Sequence, residues 1–128
     1  MDSLEEWVAL LRQTEKLIIV EGRKDKEALA AYGVPGVVTI AQKSFYAAVE
    51  GIAAAAREVI ILTDLDREGK GMYKKLCSHL QKRGVKIDHV FREFLFKKTH
   101  LTQIEGLPHY ALRTSCTASK MGTPVLKL

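Results

Sequence analysis

Leu4, Trp7, Val8 and Leu11 recur at the three- and four-residue spacing of one helix face, so residues 3–15 are expected to form an amphipathic helix. The pattern then changes. "KLIIVEG" is a short apolar run that ends in an acid and a glycine, and it predicts a buried strand over 17–20 followed by a turn. "KDKEALAAYG" puts Ala28, Leu29 and Tyr32 on one helical face, with Gly33 as its stop. "GVVTI" predicts a second strand. "SFYAAVEGIAAAARE" is an alanine-rich helix with Ser44 as N-cap, weakened slightly by Gly51. "EVIILT" is continuously apolar, as in a strand covered on both faces. "GMYKKLCSHLQKRG" steps Met72, Leu76 and Leu80 by four and closes on Gly84. "VKIDHVF" predicts a fourth strand. Residues 94–113 are mixed, with a short helix expected around 101–105 and a turn at Pro108.

Strands that alternate with helices imply an α/β fold: a mostly parallel central sheet of about four strands, with helices on both faces. Residues 1–113 are read as a single domain with its motif core at 16–105, and 114–128 as a polar C-terminal tail. There is no internal repeat, low-complexity segment or linker.

Length and composition add bounds. The 128 residues suit one domain, and 47% hydrophobic with 27% charged residues is ordinary for a globular protein. No apolar run approaches the roughly 18 residues of a membrane span. The N-terminus is acidic before its apolar part, unlike a secretory signal. Cys77 and Cys116 form neither a CxxC pair nor a disulfide framework, so a reduced, cytoplasmic setting is expected. The net charge of +5 hides an asymmetry: residues 1–66 hold 7 Lys/Arg and 11 Asp/Glu, whereas residues 67–128 hold 13 and 4. A basic half suggests a polyanionic partner, most simply nucleic acid, unless it is only a solvated lysine-rich surface.

The chemistry concentrates in "VIILTDLDREGKG", residues 59–71. Ligands of open parallel sheets bind beyond the carboxyl ends of the strands. Glu21 is the first residue past the first strand, and Asp64 and Asp66 are the first acids past the third, so all three belong to one rim. If residues 64–66 continue extended, Asp64 and Asp66 point the same way. Crowded carboxylates repel unless something offsets them. An oxygen-rich group of this kind suits a hard cation, Mg²⁺ above all, with Mn²⁺ as a substitute. The competing reading is that Asp66 merely caps the helix that follows; it explains one acid of three. An EF-hand fails because position 12 counted from Asp64 is Lys75. Neither a P-loop nor a G-x-G-x-x-G motif occurs. A D-x-D phosphatase of the haloacid-dehalogenase type would place its nucleophile after the first strand, where this chain has Glu21.

"LIIVEGRKDKEAL" followed, one β-α unit later, by "VIILTDLDREGKG" resembles the Toprim domain, a Rossmann-like three-layer fold shared by type IA and type II topoisomerases, bacterial primases, repair proteins, overcoming-lysogenization-defect-type nucleases and the ribonuclease that matures 5S rRNA. The resemblance covers roughly residues 16–105, and "THLTQIEGL" is similar to a segment near the end of such domains. It implies that Glu21 is a general acid or base, or a metal ligand, and that Asp64 and Asp66 hold Mg²⁺. Gly22 would let the backbone turn close to a phosphate. Arg23, Lys24, Arg67 and Lys70 would grip phosphates, or else be solvated charges. Asp25 would be either the second acid of E-G-x-x-D or a helix N-terminal acid; Glu68 is a further candidate acid.

This chain also departs from the large members. It lacks a separate domain for a topoisomerase tyrosine, and its two cysteines cannot build the zinc module of a primase. Tyr32, Tyr46, Tyr73 and Tyr110 read as packing residues, and His79, His89, His100 and His109 as surface or core. Phe91, Phe94 and Phe96 are either core or base-stacking residues. Two functions follow. One is a small Mg²⁺-dependent nuclease acting on RNA or DNA. The other is a non-catalytic nucleic-acid-binding module within a larger processing complex, with a protein partner or a second copy of the chain.

Overall fold

The structure, a computed structural model, describes residues 3–41 and 44–98. The elements follow in the order α1 (Leu4–Gln13), β1 (Leu17–Val20), α2 (Arg23–Ala30), β2 (Val37–Thr39), α3 (Phe45–Ala55), β3 (Glu58–Ile61), α4 (Arg67–Lys82), β4 (Lys86–Asp88) and α5 (Val90–Lys98). The strands form one sheet in the order β2-β1-β3-β4. Every pairing is parallel, with Ile18 opposite Val37 and Ile60, and Ile60 opposite Asp88. The α/β architecture is the Rossmann-like one expected, and the sheet is parallel throughout.

Period-two alternation divides the apolar runs between two cores. Ile18, Val20, Ile60 and Leu62 face α1, α2 and α5, where they meet Trp7, Leu11, Leu29 and Leu95. Ile19, Val59 and Ile61 face α3 and α4, where they meet Val49, Ile52, Leu76 and Leu80. Both sheet faces are covered, which is why the strands read as unbroken apolar runs. Each such side chain contributes about 1.5–3 kcal/mol of transfer free energy when fully buried. At the opposite end of β1 from Glu21, Lys16 reaches Asp88 at 2.6 Å and Glu58 at 3.2 Å, joining β1 to β3 and β4.

Several expectations require correction. The fourth strand is short, and Val90 and Phe91 belong to α5, which the sequence reading assigned to strand and mixed segment. Apolar period does not separate a brief strand from a buried helix. Helix α4 starts at Arg67, four residues before the expected glycine, because Asp66 caps it: its Oδ1 accepts the Gly69 N–H at 2.8 Å. Phe91 and Phe94 are buried against Trp7 and its neighbours, so they are core residues and not stacking surfaces. Tyr46 is the reverse case: read as packing, it is 55% exposed. Gly33 and Gly84 end α2 and α4 with positive φ, as expected. The expected helix at 101–105, the Pro108 turn and the tail lie outside the described residues.

One close approach positions the rim. A Cβ on Gly69 would lie 2.0 Å from the main-chain oxygen of Asp64. The Thr63 hydroxyl, fully buried, donates to the Gly69 carbonyl at 2.9 Å. The first turn of α4 is thus pressed onto the chain leaving β3. Gly69→Ala is expected to lower stability by at least ~2 kcal/mol, since backbone cannot move aside as a side chain can. Gly71→Ala, on the same helix in open space, should be neutral or stabilising by up to about 1 kcal/mol. Equal urea midpoints for the two variants would contradict this packing. Lys16 should also register at alkaline pH. Its ion pairs raise its pKa above the ordinary 10.5, so their contribution is complete below that value and is lost as pH rises through the folded-state pKa. Lys16→Met should flatten the alkaline limb of a stability-versus-pH curve, by less than about 1 kcal/mol given the exposure of the pair.

Candidate active site at the strand switch point

Strands β1 and β3 lie side by side at the centre of the sheet, yet the chain leaves them toward opposite edges, β1 to β2 and β3 to β4. Such a reversal opens a crevice beyond the carboxyl ends of the two strands. Glu21 and Gly22 follow β1 directly, and Thr63 to Asp66 follow β3. Topology therefore brings the two acidic segments together across the crevice.

Their contacts are specific. One oxygen of Glu21, Oε1, accepts the Asp64 N–H at 3.2 Å. Asp25, buried in the first turn of α2, accepts the Gly22 N–H through Oδ2 at 3.1 Å, so Asp25 acts as the helix N-terminal acid. Asp66 caps α4 through Gly69, so the simpler reading of that residue also holds. Desolvation raises the Glu21 pKa above the usual glutamate value; the Asp64 N–H opposes this, while Asp25, Asp66 and Glu68 add to the rise. The acids are close enough to repel one another.

Among the described residues, no group of three or more His, Cys, Asp or Glu side chains is arranged to hold a metal ion. The expected convergence of Glu21, Asp64 and Asp66 is not pre-assembled. The reason is local: Glu21 reaches across to a main-chain N–H, and Asp66 turns back to its own helix. Residues 65 and 66 form a bend, so strand alternation does not extend to Asp66. The donor chemistry nevertheless fits a hard cation, being oxygen-only and crowded with negative charge. Mg²⁺ keeps most of its waters and takes one or two carboxylates, so it does not need a complete protein cage.

The expected phosphate-gripping residues stand around the crevice. Arg23 and Lys24 open α2, Arg67 and Lys70 open α4, and all four are exposed. Arg23 also pairs with Glu27 at 3.5 Å on the helix surface. Cations in a first helical turn oppose the macrodipole and cost a few tenths of a kcal/mol each. Two helix N-termini that both carry them place exposed cations beside the acids, within reach of an anion held there. Gly22 has an extended φ of −137°, which any residue adopts, so the tight turn expected of it is not what requires glycine. A Cβ there would meet no atom within 4 Å. It leaves room at the rim for a close approach to the backbone.

The sequence reading missed Arg92. This residue of α5 is 9% exposed. Its Nε donates to the Thr63 carbonyl at 3.0 Å and its Nη2 to the Asp64 carbonyl at 2.8 Å. The guanidinium lies 4.3 Å from the Tyr73 ring centroid and 5.4 Å from that of Phe96. Desolvation lowers its pKa, while Tyr73, Cys77, Asp64 and Glu21 push it back. A buried cation thus underlies the acids and fixes the backbone that carries Asp64. The available signal was an arginine inside the otherwise apolar "VFREFLF", since arginine is rarely buried without partners.

The chain is 36% identical to the UPF0292 protein of Methanocaldococcus jannaschii, over 75% of this chain and 78% of the relative. It is 38% identical to the UPF0292 protein of Pyrococcus abyssi, over 82% and 81% respectively. Among solved structures, a putative protein from Aquifex aeolicus superposes with a TM-score of 0.77 at 32% identity, covering 82% of this chain and 98% of that one. A family model, the Toprim domain, matches residues 15–91, a span that contains β1 to β4, Glu21 and both aspartates. With that match over more than half its length, the chain belongs to the Toprim domain family.

Proposed function

We propose that this chain carries out Mg²⁺-dependent chemistry on nucleic-acid phosphodiesters, as a small nuclease, with Glu21 as general acid or base and Asp64 and Asp66 as metal ligands. Membership of the Toprim family points to metal-dependent activity related to nucleic acids, and Toprim domains generally bind Mg²⁺. The observation that carries the reading is the placement of Glu21 against the Asp64 backbone at the switch point. It joins an acid of raised pKa to the segment bearing both aspartates. A divalent ion held by those aspartates would neutralise charge developing on a phosphate. Glu21 would carry the proton. Arg23, Lys24, Arg67 and Lys70 would orient the flanking phosphates. Gly22 would let one of them approach the chain. Arg92 is a positioning residue: it touches no substrate and holds the carbonyls of Thr63 and Asp64.

The second reading, a binding module without turnover, is favoured by one observation. Glu21 and Asp66 already serve structural hydrogen bonds, and no ligand group is assembled among the described residues. Incubating the purified chain with labelled RNA and DNA of several structures, with Mg²⁺ or with chelator, separates the two. Mg²⁺-dependent cleavage is expected, lowered about 10²- to 10⁴-fold by Glu21→Gln. Salt-sensitive binding without cleavage on any substrate would select the module.

Mg²⁺ should raise the melting temperature of the wild type, and Asp64→Asn should remove that rise. Gly22→Ala is expected to keep full stability, because its methyl group meets no protein atom, yet to weaken cleavage. Unchanged cleavage would show that no ligand approaches there. Arg92→Lys should lose about 1–3 kcal/mol of stability, as an ammonium lacks the planar fork that reaches both carbonyls from separate nitrogens and the flat face that lies over Tyr73. Its activity below the melting transition should fall by more than the unfolded fraction explains, and wild-type activity in the folded variant would remove Arg92 from the site.

A further inference from the structure

The acid-rich crevice leaves unexplained a second feature, on the α3–α4 side of the sheet. Residues 69–87 contain six lysines and arginines and no Asp or Glu. All six, Lys70, Lys74, Lys75, Lys82, Arg83 and Lys86, are exposed. Beside this basic stretch three rings meet edge to face. Phe45 and Tyr46 are 5.4 Å apart, Phe45 and His79 5.2 Å, and Tyr46 and His79 5.3 Å, all between ring centroids. Lys75 Nζ stands 4.2 Å from the Phe45 centroid. Arg83 Nη1 donates to the His79 carbonyl at 3.0 Å, and desolvation, followed by Lys82, Arg83 and Lys75, lowers the His79 pKa.

Packing accounts for Phe45, which rests against the core on that side. It does not account for Tyr46, 55% exposed and yet held in place by two neighbouring rings. Large apolar surface left in water and fixed in one orientation is surface prepared for a flat partner, because little side-chain entropy remains to be lost on contact. The surrounding charge selects that partner. Glu50 lies one helical turn from Tyr46, and Glu68 lies at the start of α4; against them stand the six cations. A flat aromatic group on a polyanionic chain is a nucleobase in a single strand, where stacking on aromatic side chains combines with a basic groove. The route to the crevice is short. Lys75 follows the cap Asp66 by nine residues, or about 14 Å along the helix axis. Lys70 and Lys74 share one helix flank in between.

We propose that Tyr46, with Phe45 and His79 behind it and Lys75, Lys82 and Arg83 around it, is a stacking platform for single-stranded nucleic acid that runs along α4 to the acidic crevice. The proposal rests on the reading of the protein as one that acts on nucleic acid, and it adds a strand preference and a surface to that reading.

Fluorescence anisotropy tests it with the full chain in chelator, using labelled oligothymidylate and oligouridylate and a duplex of equal length. The single strands are expected to bind more tightly than the duplex. Tyr46→Ala should weaken single-strand binding about tenfold, within a range of roughly 5- to 100-fold, at unchanged melting temperature. Tyr46→Phe should retain it. The pair Lys75→Gln and Lys82→Gln should lower the slope of log affinity against log salt by about 0.7 for each charge. Val90→Ala removes an equally exposed side chain from α5, on the other face of the sheet, and should bind as wild type. Wild-type affinity in Tyr46→Ala, equal affinity for duplex, or no binding of any probe overturns the platform. The Mg²⁺-induced melting shift reports the acidic crevice separately. Retained in Tyr46→Ala while binding is lost, it supports both readings. Absent from the wild type while binding remains Tyr46-dependent, it overturns the metal site alone. Present while no probe binds, it overturns the platform alone.

Discussion

A guanidinium buried beneath the end of β3 donates to two successive carbonyls, those of Thr63 and Asp64, and the acidic rim is built around that grip. Chain leaving a central strand must satisfy its polar backbone away from the sheet ladder. Here Arg92 supplies two donors from below, the Thr63 hydroxyl binds Gly69 from the side, and Glu21 accepts the Asp64 N–H from across the crevice. The segment is fixed on three sides. Its carboxylates are held at close quarters although they repel, and a positive charge lies within the protein on the side away from solvent. Without that charge the same crowding would favour a neutral Glu21 still more strongly.

Opposite charges are set against each other throughout the rim. The acids lie at the strand ends, and the exposed cations open α2 and α4, where the helix dipoles already supply partial positive charge. Neither arrangement minimises the energy of the isolated protein. Departures of this kind from local rules gather at functional sites. The donor set and the exposed cations beside it together suit a metal ion that shares its shell with a phosphate, as in many sites where Mg²⁺ is carried partly by its substrate.

The sheet and the location of the rim were legible in the sequence because they follow from period and order alone. Ile18 to Val20 and Val59 to Ile61 are apolar at every position, and β-α alternation leaves the parallel arrangement as the only economical one. Glu21, Asp64 and Asp66 had to fall at the same end. Side-chain direction was not legible. Asp66 could face a ligand or its own helix, and only the bend at residues 65 and 66 decides in favour of the cap. Arg92 was hidden for a related reason. "VFREFLF" has no period that separates strand from helix over so few residues, so the arginine had no face until α5 was seen to pack on α1. Tyr46 was misread because its helix is rich in alanine, which gives little indication of which side is covered. The Toprim resemblance supplied the roles of the acids and had no bearing on either residue.

The indole of Trp7 donates to the carbonyl of Phe91 at 2.8 Å, across 84 residues, and both groups are buried. That bond joins distant parts of the chain and helps to close one core over the sheet. Helix α1 leaves the ribosome before α5, so the Trp7 N–H lacks this acceptor until the start of α5 has emerged. Contacts of such range form late. A chain interrupted before residue 91 would retain all four strands yet lack the acceptor of that indole and the α5 side chains that complete the core around it, a state open to aggregation or to capture by a chaperone.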